Sequence, residues 1–297
     1  MSDRKRVAVL MTCYNRRETT MKCLQALYGQ DFPEHLEFEV YLVDDGCTDG
    51  THEAVREEYP RVKVLQGNGN LYWCGGMRVA FAEALKHDFD YYLWLSDDTV
   101  LFSHALSTLL DTSYSVEEQF GHQGIIVGSA KDTETGEHAY GGVINRSHWR
   151  LRFARVVPSD RAQPCDTMNG NVVLIPREIA KAVGNLSPDY THGIGDYDYG
   201  LRAKAKAFEC WIAPGYVGTC SANPNGRLLK DKSVPVKDRL KTMCSPTGLP
   251  PTREWMLFTR RHAKVLWPWY WMRTLVRACF PRLWIYFRTN RPERCVL

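Results

Sequence analysis

An apolar run that ends on two adjacent carboxylates, YYLWLSDD at 91–98, is the strongest constraint in this chain. Like charges at the mouth of a core strand repel each other and resist burial unless a cation or hydrogen-bond donors meet them. The fold must therefore bring positive or polar groups to that strand end from elsewhere in the sequence. Three more short apolar runs precede it: VAVLMT (7–12), FEVYLV (38–43) and VKVL (62–65). Between the runs lie stretches of helical periodicity, marked by Thr20, Cys23, Leu24, Leu27 and Tyr28, by Thr51 to Glu58, and by Met77, Ala80, Phe81, Ala84 and Leu85. Asn15 followed by Glu18 resembles a helix start with reciprocal capping. Apolar runs alternating with helices predict an α/β sheet of mostly parallel strands. Such sheets collect polar residues at the carboxyl ends of their strands. Asn15, Asp44, Asp45, Asp97 and Asp98 all follow a run directly, so one edge of the sheet should hold them.

The second half has another rhythm. GIIVGSA (124–130), GGVIN (141–145), NVVLIP (171–176) and CWIAP (210–214) read as short strands, and Pro176 can open a helix over Arg177 to Ala182. With 297 residues and 44% hydrophobic content, the chain can bury one large core with an appended piece. The expected division is a catalytic domain over 1–226, a linker or acceptor-side loop over 227–251, and a helical segment over 252–297. No apolar run is long enough for a conventional spanning helix. The N-terminus turns polar too soon for a secretory signal, which points to a reducing compartment. The ten cysteines, at 13, 23, 47, 74, 165, 210, 220, 244, 279 and 295, contain no Cys-x-x-Cys pair and read as free, mostly buried thiols rather than a zinc site.

An Asp-Asp turn can be an exposed surface feature, but here it adjoins a buried strand. A hard divalent ion such as Mg²⁺ or Mn²⁺ suits oxygen ligands and commonly also holds phosphate. With one or two protein ligands, a bound diphosphate would complete the coordination. The segment HGIGDYDYGLRAKAK (192–206) is a second acidic cluster; it could simply start a helix, where carboxylates near the N-terminus are favoured. The loop QGNGNLYWCGG (66–76) holds four glycines, allowing close backbone approach to a ligand, yet it contains neither a dinucleotide fingerprint nor a phosphate loop.

Taken in order, VAVLMTCYNR (7–16), EVYLVDDGCTDGT (39–51), GNGNLYWCGGMRVAFAEAL (67–85), YYLWLSDDTVL (91–101), MNGNVVLIPREIAKAVG (168–184) and GIGDYDYGLRAKAKAFECWIAP (193–214) resemble the family 2 glycosyltransferases with a GT-A fold. The similarity points especially to bacterial rhamnosyltransferase-like enzymes of polysaccharide assembly. It implies an inverting transferase that moves a sugar from a nucleoside-diphosphate donor, UDP or dTDP favoured over GDP, to a hydroxyl of an oligosaccharide or lipid-linked acceptor. Carried over residue by residue, the resemblance places Thr12, Tyr14 and Asn15 at the first nucleotide-contacting turn. It gives Asp44 or Asp45 to the base imide or a ribose hydroxyl, a fit for an acceptor-only carboxylate facing an N–H donor. Asn70, Gly75 and Gly76 become donor contacts, and Trp73 either stacks on a sugar or fills the crevice.

Asp98 becomes the metal ligand and Asp97 a donor-sugar or outer group, with Ser96 standing where the family carries Asp or Asn. Asp196 becomes the general base, Asp198 its orienting partner, and Arg202 either a phosphate contact or a partner of a carboxylate. Thr219 and Cys220 fall where many relatives place a metal-contacting histidine; His192 could compensate in space. These departures keep open a catalytically inactive nucleotide-sugar or carbohydrate-binding scaffold.

Charge divides the chain. Residues 227–297 hold 16 Lys or Arg against 4 Asp or Glu, a local +12 in a chain of net +4. Five of the nine tryptophans and ten basic residues lie between 253 and 294. Trp and Tyr beside Arg suit a lipid headgroup interface, so an anionic membrane surface is one expected partner. That makes the enzyme cytoplasmic, with peripheral attachment to the inner face of the inner membrane. A helical cap on the catalytic domain or a homodimer surface is the competing reading. Basicity without a groove-reading motif gives no expectation of nucleic-acid binding.

Overall fold

The computed structural model describes residues 4–31, 36–221 and 252–280, with isolated residues at 235–247 and 286. The expected linker over 227–251 and the tail beyond 280 fall almost wholly outside the described residues. In chain order the elements are β1 (Lys5–Cys13), α1 (Arg17–Tyr28), β2 (Leu36–Asp44), α2 (Thr51–Glu58), β3 (Lys63–Gln66), α3 (Tyr72–Ala84), β4 (Tyr91–Leu95), β5 (Thr99–Leu101) and α4 (Ala105–Phe120). There follow β6 (Ile125–Val127), β7 (Ala130–Lys131), β8 (His138–Tyr140), β9 (Gly142–Asn145), β10 (Phe153–Arg155), β11 (Gln163–Cys165), β12 (Thr167–Met168) and β13 (Val172–Pro176). The chain continues through α5 (Arg177–Val183), α6 (Gly195–Ala205), β14 (Cys210–Ile212), β15 (Gly218–Cys220), α7 (Thr252–His262) and α8 (Trp267–Cys279).

The main sheet has eight strands in the order β11-β14-β6-β13-β4-β1-β2-β3. Its β3-β2-β1-β4 half is parallel, and Cys13 pairs across from Asp44 while Asp44 pairs across from Gln66. Period-two alternation sorts these strands between two layers. Val7, Val9 and Met11 of β1 face α1 and α4, joining Leu24, Leu27, Leu106 and Leu109. Ala8 and Leu10 face the other way onto α3, α5 and α6, with Met77, Phe81, Ile179 and Tyr199. Burial on both faces is why these strands read as continuous apolar runs.

β13 enters antiparallel between β4 and β6, so the sheet is mixed, and Val172 lies opposite Leu95. That pairing sets the residues before β13 beside the acidic end of β4. A small antiparallel sheet, β10-β9-β12, and a small mixed one, β5-β15-β7-β8, in which β15 and β7 run parallel, flank the main one.

Three local expectations are corrected. Asn15 does not cap α1: it adopts a left-handed φ of 50°, and its Oδ1 accepts from the backbone N–H and hydroxyl of Thr48 instead. The glycine-rich stretch is loop only to Leu71; Trp73, Gly75 and Gly76 belong to α3. The run 124–130 divides into β6 and β7 at Gly128, where a Cβ would meet Val217 at 2.5 Å.

α7 and α8 pack on the domain rather than standing away from it. Phe258 and Tyr270 join Phe153, Tyr190, Ile194 and Tyr197 in a third core cluster. Tyr270 Oη accepts the Leu151 N–H at 2.8 Å.

Candidate active site

The charge awaiting the two carboxylates is Arg16, in the turn between β1 and α1. Its Nη1 lies 3.3 Å from Asp97 Oδ1 and 3.0 Å from Asp98 Oδ2. Asp97 is only 6% exposed, and Thr20 Oγ1 donates to it at 3.4 Å. Burial, then repulsion from Asp98, pushes its carboxyl up to about 7 despite Arg16. Asp98 is the more accessible of the pair, with a side chain 25% exposed. Its Oδ1 accepts from Cys220 Sγ at 3.3 Å, a contact made because β15 pairs with β5 and sets Cys220 opposite Thr99.

His192 completes this corner. Its Nδ1 is buried without a hydrogen-bond partner. Burial, followed by the charge of Arg16, lowers its proton affinity, while Asp98 acts the other way. A neutral imidazole with an unpartnered nitrogen near a carboxylate is the form that ligates a cation. Asp98 and His192, close enough to act on each other electrostatically, are the residues of this corner that could hold a divalent ion, oxygen and imidazole donors being suited to Mn²⁺ and Mg²⁺ in differing degree.

Asp196 sits in the first turn of α6, entered through a left-handed Ile194 (φ 59°). Its Oδ2 accepts the Gly170 N–H at 3.0 Å and its Oδ1 the Tyr197 N–H at 2.8 Å. Burial raises its carboxyl to about 6, the two backbone donors acting against the rise. A Cβ on Gly170 would lie 2.3 Å from the Trp73 ring and 3.3 Å from Asp196, so only glycine fits between them. Trp73 also meets Trp94 edge-on, ring centres 5.9 Å apart, and is partly buried against two core clusters.

The turn at 169–171 joins the two acidic centres. Gly170 holds Asp196, while the next carbonyl, of Asn171, accepts the Ser96 N–H at 2.9 Å. The Asn171 side chain donates to Cys220 Sγ at 3.4 Å, the same sulfur that touches Asp98. Residues almost a hundred positions apart are thus placed around one three-residue turn.

Asp44 and Asp45 are both buried at the end of β2. The Asp45 carboxylate accepts three backbone N–H groups, from Gly69 at 2.9 Å, Leu71 at 2.9 Å and Tyr72 at 3.1 Å, and so shapes the glycine-rich loop. Asp44 accepts the Cys47 N–H at 2.7 Å and lies 3.2 Å from His52 Nδ1. Tyr14 is 53% exposed beside this edge, and Asn70 is exposed on the loop, its N–H held by Asn68.

Thr12, Gly75 and Gly76, expected at the donor, are buried where β1 meets α3. Thr12 is a packing residue: its hydroxyl is buried without a partner, and a Cβ on Gly76 would stand 2.0 Å from it. Gly75 and Gly76 are correspondingly buried inside α3. Arg202, expected at the donor or on a carboxylate, takes the second course: it donates to Asp198 at 2.8 Å and to the carbonyls of Val183 and Asn185. Asp198, itself fully buried, is held by a clamp that also contains the buried Tyr190 and the partly exposed Arg261 and His262.

Residues 8–151 match the family model described as glycosyl transferase family 2. The glycosyltransferase AglE of Haloferax volcanii is 25% identical over 234 residues, spanning 75% of this chain and 69% of that protein. Among solved structures, TarS of S. aureus superposes with a TM-score of 0.53 at 16% identity, over 88% of this chain but 44% of its own. The mannosyltransferase PcManGT from Pyrobaculum calidifontis, in complex with GDP-Man and Mn²⁺, gives a TM-score of 0.53 at 17% identity, over 95% of this chain and 76% of its own. At these identities the structural likeness is one of fold, and that fold is GT-A.

Proposed function

Residues 8–151 form a family 2 glycosyltransferase domain on a GT-A fold, and from that premise we propose an inverting transferase that moves a sugar from a nucleoside diphosphate to a saccharide or lipid-linked hydroxyl. The observation that supports this reading is the 169–171 turn, which hydrogen-bonds Asp196 through Gly170 and, through Asn171, both Ser96 and Cys220 beside the Asp97–Asp98 pair. One centre needs a proton acceptor and the other needs to receive negative charge, and the two carboxylate environments differ accordingly.

The acceptor hydroxyl gives its proton to an Asp196 oxygen as its own oxygen attacks the anomeric carbon. The bond from that carbon to the phosphate oxygen breaks, and the nucleoside diphosphate departs with the bonding electrons. A single displacement inverts the anomeric configuration. Asp98 and His192 would hold a divalent cation, which when bound would neutralise charge on the leaving diphosphate. Arg16 holds Asp97 and Asp98 together and keeps positive charge at the same corner. Asp44 is the preferred carboxylate for the base, since Asp45 already accepts three N–H groups. A uracil or thymine imide would suit it, and exposed Tyr14 can cover a base face.

A panel of UDP-, dTDP- and GDP-sugars with Mn²⁺ or Mg²⁺ tests this reading. The expected products are a glycosylated acceptor and free nucleoside diphosphate; release of pyrophosphate overturns it. In the same assay Asp98→Ala should remain folded and lose metal-stimulated nucleotide binding by tenfold or more, an order of magnitude set by removing the principal metal oxygen. Unchanged metal-dependent binding removes Asp98 from that role.

We also propose that α8 attaches the enzyme to an anionic membrane surface. Trp269, Met272 and Val276 are exposed at helical spacing, and Phe280 follows them at 61% exposure. Arg273 and Arg150 both lie over the Trp269 ring, at 4.6 and 5.7 Å, combining cationic and apolar groups on one face. No helix among the described residues is long and apolar enough to cross a membrane, so contact would be interfacial. The full chain should sediment with phosphatidylglycerol vesicles and bind neutral phosphatidylcholine about tenfold less, as expected from a few basic groups at a charged surface. Met272→Glu should weaken the first interaction without lowering the melting temperature. Failure of the intact protein to sediment with anionic vesicles removes the proposal.

A further inference from the structure

A second constellation lies at the same sheet edge, on the far side of β1 from Asp98. Cys13 ends β1 and Asp44 ends β2 opposite it, while Cys47 lies three residues further along the turn. One donor atom from each of the three lies within 4.8 Å of the others. The two sulfurs are 3.9 Å apart. A disulfide would bring them to about 2.05 Å. Two thiolates about 2.3 Å from one tetrahedral zinc stand roughly 3.8 Å apart, which is the separation present.

The surroundings are those of a held ligand set. Asn15 N–H donates to Cys47 Sγ at 3.2 Å, a bond that strengthens if the sulfur is a thiolate. Cys47 N–H fixes one Asp44 oxygen at 2.7 Å, and His52 Nδ1 lies 3.2 Å from the other. An imidazole behind a carboxylate is an arrangement that orients a metal ligand. Cys13 and Asp44 are each 3% exposed, whereas Cys47 is half-buried and gives an entry path. Spacing conceals the group, since Cys13 and Cys47 are 34 positions apart and meet only because β1 and β2 are parallel neighbours.

We propose that Cys13, Cys47 and an Asp44 oxygen form a site for a thiophilic divalent ion of the zinc class, with water in the fourth position and His52 behind the carboxylate. It differs in kind from the Asp98 corner: thiolate donors select soft ions, whereas carboxylate and imidazole serve Mg²⁺ or Mn²⁺. Binding exchanges two thiol protons for the ion and involves no oxidation. Resting on the reading of Asp44 as the base contact, an ion here withdraws that carboxylate and opposes nucleotide binding.

The test uses the reduced full-length chain titrated with Cd²⁺ and Co²⁺, whose thiolate charge-transfer absorption reports sulfur ligation directly, with Zn²⁺ as competitor. One ion should bind, the band should vanish on adding Zn²⁺, and affinity should fall at least tenfold in Cys47→Ser, the order expected for loss of a ligand group. Asp98→Ala should keep the band. Absence of the band, or its persistence in both Cys47→Ser and Cys13→Ser, overturns the site. A separate arm measures nucleotide affinity with and without Zn²⁺. Competition that disappears in Cys47→Ser supports the coupling; a band without competition leaves the metal site standing and removes Asp44 from the nucleotide.

Discussion

Asp196→Asn should lower transfer at saturating substrates by about 10²- to 10⁴-fold, the range general-base catalysis supplies, while donor affinity stays near that of the parent. The amide is nearly isosteric, and its single oxygen keeps one of the two backbone N–H bonds the carboxylate accepts, from Gly170 at 3.0 Å or Tyr197 at 2.8 Å, and gives up the other. The buried carboxyl is raised to about 6, so below that pH it carries the proton and cannot accept another. The parent rate should therefore climb through pH 6 and level above 7. The same limb should be missing from the variant. Folding gives an independent reading: raising a carboxyl penalises its ionised form in the folded state above pH 6. Removing the ionisation relieves that penalty and offsets the lost backbone bond, so the variant should melt close to the parent at pH 7.5. Near-parental transfer by Asp196→Asn would exclude it as the base.

The parallel half was legible because β1, the second half of β2 and β4 are buried on both faces. Continuous apolar runs mark such strands, and the expected α2 from Thr51 to Glu58 and β4 from Tyr91 to Leu95 coincide with the structure. α4 carries a helical period in Leu106, Leu109, Leu110 and Val116, but no apolar run of the kind that marks the buried strands announces it. The start of α3 was hidden by glycine composition: Asp45 gathers the loop backbone, and the helix then begins at Tyr72 with its glycines inside.

Within the candidate site, residue type was legible and partnership was not. The need for a positive group beside Asp97 and Asp98 follows from electrostatics, yet nothing local distinguishes Arg16 from any basic residue near a turn. Its assignment depends on β1 and β4 being neighbours. Asn171 is similarly anonymous until β13 pairs with β4. The Asp198–Arg202 pair did carry a sequence signal, an acid four residues before a base on a helix. Their further partners Arg261 and His262 come from α7, across a span that no periodicity bridges.

That clamp leads to the second large effect. Asp198→Asn should destabilise the protein by about 3–5 kcal/mol, since removing one member of a buried ionic group leaves the others uncompensated. At roughly 2–4 °C per kcal/mol, melting should fall by about 10 °C. Asp198 is fully buried, with Arg202 at 2.8 Å, Arg261 at 2.7 Å, His262 at 2.8 Å and the Tyr190 hydroxyl at 3.1 Å. Burial alone would raise its carboxyl; bonds from His262 and Arg261, with the charge of Arg202, outweigh it and depress the group to about 2. A depressed carboxyl contributes stability that is present above its ordinary value near 4 and is lost as pH falls through 2. That contribution is roughly 2 kcal/mol. Asp198→Asn should flatten this acid limb as well as lower melting at neutral pH. The damage should also reach the crevice: α7 holds the Thr191 N–H through Glu254 at 3.0 Å and Asp189 through Arg261 at 2.7 Å, framing the segment that carries His192. Amide hydrogen exchange should therefore rise in α7 and in residues 187–192 together. Parental melting with an unchanged acid limb would remove the clamp from the account of stability; faster exchange confined to α7 would uncouple it from the site.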